Sequence, residues 1–215
     1  GKHQPVAADF IQNKSSFADG KGEVVGAQDP VLLLRHIHQA IRSALKEFAE
    51  ETRSLQAQGA MHSTHLSSLV EQHRFLRAVC TFHSQSENDT MLPVALRFAV
   101  SHTEVAASIQ KCEEEHVLEA ANFDALGRLL VDVRSCTRRG GKEANELANE
   151  LCKSAEAVRV AFDTHMLFEE TELLPVLAKL CPVNEQRLIV WNTIRAMPLR
   201  LLERVLPWVS SQVSE

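Results

Sequence analysis

Apolar positions recur along this chain every three or four residues in four long runs, the spacing that lines one face of an α-helix. The first run is Leu34, His38, Ile41, Leu45 and Phe48, following a Gln28-Asp29-Pro30 start signal. His36, about 200° round the helix from His38, faces away. A second run holds Leu66, Leu69, His73, Leu76, Cys80, His83, Glu87 and Met91, and is expected to break at Pro93. The third holds Ile109, Cys112, His116, Glu119, Phe123, Leu126, Leu130 and Val133, closing near Arg139-Gly140-Gly141. The fourth holds Leu147, Leu151, Ala155, Val158, Phe162, His165, Glu169 and Leu173, with a stop expected at Pro175. Beyond Cys181-Pro182 the pattern predicts a helix through Trp191 and Ile194, an interruption at Met197-Pro198, and a last helix from Leu199 to Trp208.

No run of alternating strand residues and no fixed-length repeat competes with this pattern. The fold class is therefore all-α: an up-down-up-down four-helix bundle with extra C-terminal helices packed outside it. Residues 1–29 lack apolar periodicity and read as a tail or linker. Residues 30–209 read as the bundle with its helical extension, and residues 210–215 as a closing tail. The first residue is Gly1, not Met, as expected of a piece of a longer protein.

Composition narrows the function. Over 215 residues, 45% are hydrophobic and 24% charged, which is ordinary for a folded chain. A net charge of -5 offers no excess of cations for a nucleic-acid backbone or an anionic membrane. No apolar stretch approaches the roughly 18 to 20 residues that span a bilayer. The five cysteines, Cys80, Cys112, Cys136, Cys152 and Cys181, contain no CxxC pair and read as reduced thiols of an intracellular protein.

What remains unexplained is a histidine in every core run and a glutamate three or four residues after it in three of the four. A buried carboxylate without a partner costs several kcal/mol. The runs offer no lysine or arginine at these positions, so a metal is the simplest partner. His83 with Glu87 and His165 with Glu169 are i,i+4 pairs, and His116 with Glu119 is an i,i+3 pair, so each pair projects from one helix face. With His38 the candidate ligands are four imidazoles and three carboxylates, a donor set that suits iron, manganese or zinc but not calcium. One ion cannot use seven ligands. Two six-coordinate ions offer about twelve positions, of which five terminal and two bridging ligands fill about nine. A bridging oxo or hydroxo group fills two more, which leaves roughly one for water or dioxygen.

The order His38, then His83-Ser-Gln-Ser-Glu87, then His116, then His165-Met-Leu-Phe-Glu169-Glu170 resembles the hemerythrin-like (HHE cation-binding) domains. The likeness covers about residues 30 to 180. Ile37-His38-Gln39-Ala40-Ile41-Arg42, Phe82 to Asn88 and the segments around Met197-Pro198-Leu199 and Leu206-Pro207-Trp208 look like the hemerythrin domains of BRUTUS-type plant ubiquitin ligases. That resemblance implies two non-haem irons, with His38, His83, His116 and His165 as terminal ligands and Glu87 and Glu169 bridging. It also implies a nuclear or cytoplasmic iron-sensing module of a RING-type E3 ubiquitin ligase, whose partners include protein substrates of the ligase. The third helix departs from the pattern, carrying Ala120 where hemerythrin has a second histidine and the ligase domains a glutamate, and Glu119 one residue earlier. On the fourth helix Glu170 matches the spacing of oxygen-carrying hemerythrins, while helix phase favours Glu169.

Other readings stand beside this one. A di-iron protein that binds dioxygen or acts as an oxidase needs an open coordination position, which the count leaves. The absence of tyrosine excludes tyrosyl-radical chemistry. Cys80, His83, Cys112 and His116 would make a structural zinc site, but one that leaves the glutamates unused. Glu113-Glu114-Glu115 reads as a solvated face. His73, about 15 Å along the helix from His83, reads as packing, and His3, His36, His62, His65 and His102 as surface. No RING ligands are present, so ubiquitin transfer itself is not assigned to these residues.

Overall fold

The computed structural model describes residues 29–59, 63–137 and 142–213. The tail expected over residues 1–29 and the Gly140-Gly141 breaker lie almost wholly outside these. After a 3-10 turn at Pro30–Leu33 come α1 (Leu34–Ala57), α2 (Ser63–Ser86), α3 (Leu92–Leu96), α4 (Thr103–Thr137), α5 (Lys142–Phe168), α6 (Leu174–Leu180), α7 (Val183–Ala196) and α8 (Leu199–Val213). No strand occurs among the described residues. Helix α1 packs on α2 and α5, and α4 packs on the same two, which closes a four-membered ring of successive neighbours. Gly59, at φ 62°, turns the chain out of α1, a left-handed conformation that glycine adopts without a Cβ clash.

The two prolines do not end their helices. Glu87–Met91 and Glu169–Leu173 are each one π-helical turn, continuing α2 into α3 and α5 into α6. In each, the leucine before proline (Leu92, Leu174) donates its N–H to the carbonyl of the glutamate five residues back. Proline lacks an N–H and its ring crowds the carbonyl four residues earlier. A widened turn accommodates both defects without breaking the rod. Both turns therefore begin on Glu87 and Glu169.

Every residue of the four apolar runs is buried except Leu147, which is half-buried. They form two apolar clusters. One contains Ile41, Leu45, Leu76, Cys80, Phe123, Leu126, Val158 and Phe162. The other contains Val31, Leu34, Met91, Leu92, Ile109, Cys112, Leu173 and Leu174. Along each long helix the chain passes from one cluster to the other through its histidine: Leu34 to His38 to Ile41, or Cys112 to His116 to Phe123. The polar residues are thus a layer between two dry plugs. Helix α8 contributes Val205, Leu201 and Trp208 to the first cluster, with Phe75 edge-on to Trp208 at 5.7 Å between ring centroids. It runs to Val213, past the end expected at Trp208.

Candidate metal centre

The polar layer brings together His38 from α1, His83 from α2, His116 from α4, His165 from α5, and Glu87 and Glu169 from the two π-turns. The donor atoms fall into two groups, each within 4.8 Å: His38, His83, Glu87 and Glu169, and Glu87, His116, His165 and Glu169. Both glutamates belong to both groups. His38 Nε2 lies 3.6 Å from Glu87 Oε1 and 3.5 Å from Glu169 Oε2. Glu87 Oε2 is 3.4 Å from both His83 Nε2 and His116 Nε2, and Glu169 Oε1 is 3.5 Å from His165 Nε2. These are too long for hydrogen bonds. They match donors sharing an ion: at bonds of about 2.1 Å, adjacent ligands stand about 3.0 Å apart in an octahedral shell and about 3.4 Å apart in a tetrahedral one.

The outward face of the layer is well bonded. His38 Nδ1 lies 2.9 Å from Glu170 Oε1, His116 Nδ1 2.8 Å from Asn88 Oδ1, and His165 Nδ1 2.8 Å from Glu115 Oε2. A carboxylate only accepts, so Nδ1 of His38 and His165 carries the proton, and Asn88 Oδ1 accepts from His116 in the same way. The Nε2 lone pairs then point inward, the arrangement typical of metal-ligating histidine. His116 Nε2 and His165 Nε2 face each other at 3.1 Å. Two lone pairs at that distance repel unless an electrophile lies between or beside them. The inward atoms, namely Nε2 of His38 and His83 and all carboxylate oxygens of Glu87 and Glu169, are buried with no hydrogen-bond partner, as are both oxygens of Glu119. Such orphaned atoms are rare and costly in native proteins.

Protonation tells the same story. Burial disfavours charge on Glu87, but His83, His116 and His38 around it outweigh burial and hold its carboxyl well below the ordinary range. Burial, then the charges of Glu87 and Glu119, push Glu169 well above it. Two carboxylates this close do not both ionise without added positive charge. Burial drives His83 down to about 3, against the attraction of Glu87. Glu170, despite partial burial, is drawn down to about 2 by hydrogen bonds from His38 and Arg42.

Glu119 is placed differently. It is buried, yet its carboxyl belongs to neither donor group. On a helix turning about 100° per residue, an i+3 residue sits about 60° to one side of the histidine and an i+4 residue about 40° to the other. Glu87 and Glu169 take the second side; Glu119 takes the first and lines a cavity between α2 and α4. Of the paired candidates on the π-turn after α5, Glu169 reaches inward and Glu170 supports His38 from outside. No cysteine joins either group, and in the absence of metal burial with nearby carboxylates raises the thiols of Cys80 and Cys112. His73 bonds the Phe123 carbonyl at 2.9 Å and packs on Gly127, where a Cβ would come within 2.8 Å of its ring. His36, His65 and His102 stay outside the layer, and His3 and His62 lie outside the described residues.

Sequence reasoning missed Asn88 and Glu115 as supports, and assigned Glu115 to a solvated face. A signal existed for the first: each shared glutamate is followed directly by a polar acceptor, Glu87-Asn88 and Glu169-Glu170, which holds an imidazole on a neighbouring helix of the ring.

Comparison with known proteins agrees with this geometry. The Hemerythrin HHE cation binding domain family matches residues 29–177. The chain belongs to the hemerythrin HHE family. It is similar to zinc finger protein BRUTUS of Arabidopsis thaliana, 29% identical over 187 residues, or 86% of this chain and 14% of that protein. Two BRUTUS-like zinc finger proteins of the same plant are 25% and 23% identical, covering 96% and 93% of this chain and 15% of each relative. The chain thus spans about one seventh of the length of these relatives. No solved structure matches it. No helix among the described residues is long and apolar enough to cross a membrane.

Proposed function

We propose that this hemerythrin-family chain is an iron-holding regulatory module whose order depends on its metal. His38 and His83 hold one ion, His116 and His165 a second, and Glu87 and Glu169 bridge the two. The observation that carries the reading is the layer of inward Nε2 and carboxylate atoms without partners, between apolar plugs. The mixed imidazole and carboxylate donors favour iron over calcium or a thiolate-selected metal. Bound iron supplies positive charge, redox chemistry and affinity for dioxygen.

The chain's own residues do the rest. Glu170, Asn88 and Glu115 orient the imidazoles and fix their tautomers, and the π-turns aim Glu87 and Glu169 at both ion positions. The two apolar clusters exclude water from the ends of the layer. Without cations, Glu169 has to keep a proton beside Glu87 and the inward donor atoms have no partner, so iron stabilises the folded state by linkage and its loss loosens the bundle. The similarity to BRUTUS supports a setting within a larger plant protein, and we assign the unit, residues 30–209, to iron or oxygen sensing within an E3 ubiquitin ligase that controls iron homeostasis in the nucleus or cytoplasm. The test is element analysis of protein purified without added metal, with melting curves before and after chelation. About two irons per chain and a melting temperature lowered by about 8–16 °C are expected, equivalent to losing roughly 4 kcal/mol of ligand stabilisation. An iron-free protein of equal stability contradicts the proposal.

A further inference from the structure

Both ends of the polar layer are stopped by apolar side chains, Phe123 and Phe162 among those on one side, Met91, Leu92, Leu173 and Leu174 on the other. An ion reaching the layer must therefore come from the flank. Between α2 and α4 lies a cavity of about 320 Å³. Its walls include Ser84, Gln85 and Asn88 on the α2 side, and His116, Glu119 and Ala120 on the α4 side. Ala120 is exposed and Glu119 is 3% exposed, so the cavity runs from solvent to a buried carboxylate one helical turn from His116. Neither Glu119 oxygen has a hydrogen-bond partner. The carboxyl belongs to neither donor group, yet it lines the cavity beside His116 of the second of them.

We propose that this cavity is the entry and exit route for the metal ion and that Glu119 is a transit ligand. It exchanges its oxygens for the ion's water ligands before the ion passes to His116, His165 and the bridging glutamates. A hydrated divalent cation needs oxygen donors as it sheds water. Glu119, Asn88 Oδ1 and the Ser84 hydroxyl line the path with such donors, and the Glu119 carboxyl releases its proton to solvent as the cation arrives. The small side chain of Ala120 keeps the mouth open. This inference rests on the two-ion reading of the centre.

A transit group differs from a resident ligand in a way that can be measured. Because entry and exit share one path, removing it slows loading and release by the same factor and leaves the equilibrium untouched. The experiment mixes the metal-free full chain with ferrous ion anaerobically in a stopped-flow instrument, then measures release to an excess of ferrous chelator and iron per chain at the end point. Glu119→Gln should slow both rates by about ten-fold, with unchanged iron content. Ala120→Phe, which plugs the mouth from the exposed face and leaves the carboxyl in place, should also slow both. Unchanged rates in the two variants overturn the route. A lowered iron content or affinity in Glu119→Gln with unchanged loading rate overturns the transit role and makes Glu119 a resident ligand. A wild-type chain that takes up no iron removes the two-ion centre itself, and the route with it, an outcome distinct from either.

Discussion

The two halves of the polar layer share Glu87 and Glu169 but are built differently around them. In the α1 and α2 half, His38 is fully buried and its Nδ1 is held by the charged Glu170, which Arg42 also binds at 2.8 Å. Arg42 in turn bonds Asp163 at 2.9 Å, so a chain of ionised groups ties α1 to α5. In the α4 and α5 half, His165 is likewise held by a carboxylate, Glu115, at 2.8 Å, but His116 leans on the neutral Asn88 and borders the cavity between α2 and α4. The second half is therefore the one that opens on the cavity. Two ions bound by equal numbers of like ligands should differ in lability, and the labile one belongs to the second half.

The largest effect comes from breaking what the halves share. Glu169→Gln should abolish retention of both ions while leaving the metal-free protein as stable as wild type or more so, because burial and neighbouring carboxylates already keep Glu169 protonated there. Element analysis and melting curves check this; loss of a single ion would contradict the sharing. Next come the halves themselves. His38→Ala and His116→Ala should each halve the iron content, and the ion that survives His116→Ala should leave more slowly under chelation than the one that survives His38→Ala. Equal release rates would erase the contrast between the halves.

Smaller effects test the supports. Glu170→Gln should weaken the first ion by about 10- to 100-fold, as loss of an outer partner of a ligating histidine typically does. Asn88→Ala should weaken the second by less, measured by competition with a chelator of known affinity. The smallest effect is a pH slope. Burial, then the charges of Glu87 and Glu115, push Glu119 up to about 9. Between its unfolded value near 4.5 and that folded value, the folded state holds a proton that the unfolded state has released. Stability of the metal-free protein therefore falls as pH rises, by at most about 1.4 kcal/mol per unit for this group. His83 and His165 have lowered folded values and oppose this only below about pH 6.5, so the decline should show from about pH 7 to 9. Denaturant melts of metal-free Glu119→Gln should show a shallower decline than wild type over that window.

Much of this was legible in the sequence because helical periodicity is a local property. Leu34, Ile41 and Leu45 or Phe123, Leu126 and Leu130 declare their buried face without reference to any partner. A histidine and glutamate on that face are conspicuous for the same reason. The π-turns were not legible, since Pro93 and Pro175 carry a stop signal whose outcome depends on whether the surrounding bundle holds the rod together. Helical phase also failed to separate Glu119 from Glu87 and Glu169: the difference between i+3 and i+4 becomes decisive only when the direction of the neighbouring helices is known. Asn88 and Glu115 act across helix pairs, on His116 and His165, and pairing between helices is what a single chain's periodicity leaves out.

The most direct measurement is a crystal of the full chain with diffraction recorded above and below the iron absorption edge. The account predicts two anomalous peaks about 3.5–4 Å apart. One should lie among His38, His83, Glu87 and Glu169, the other among Glu87, His116, His165 and Glu169. A layer with water alone between these side chains, or a metal peak held by the cysteines, would contradict it.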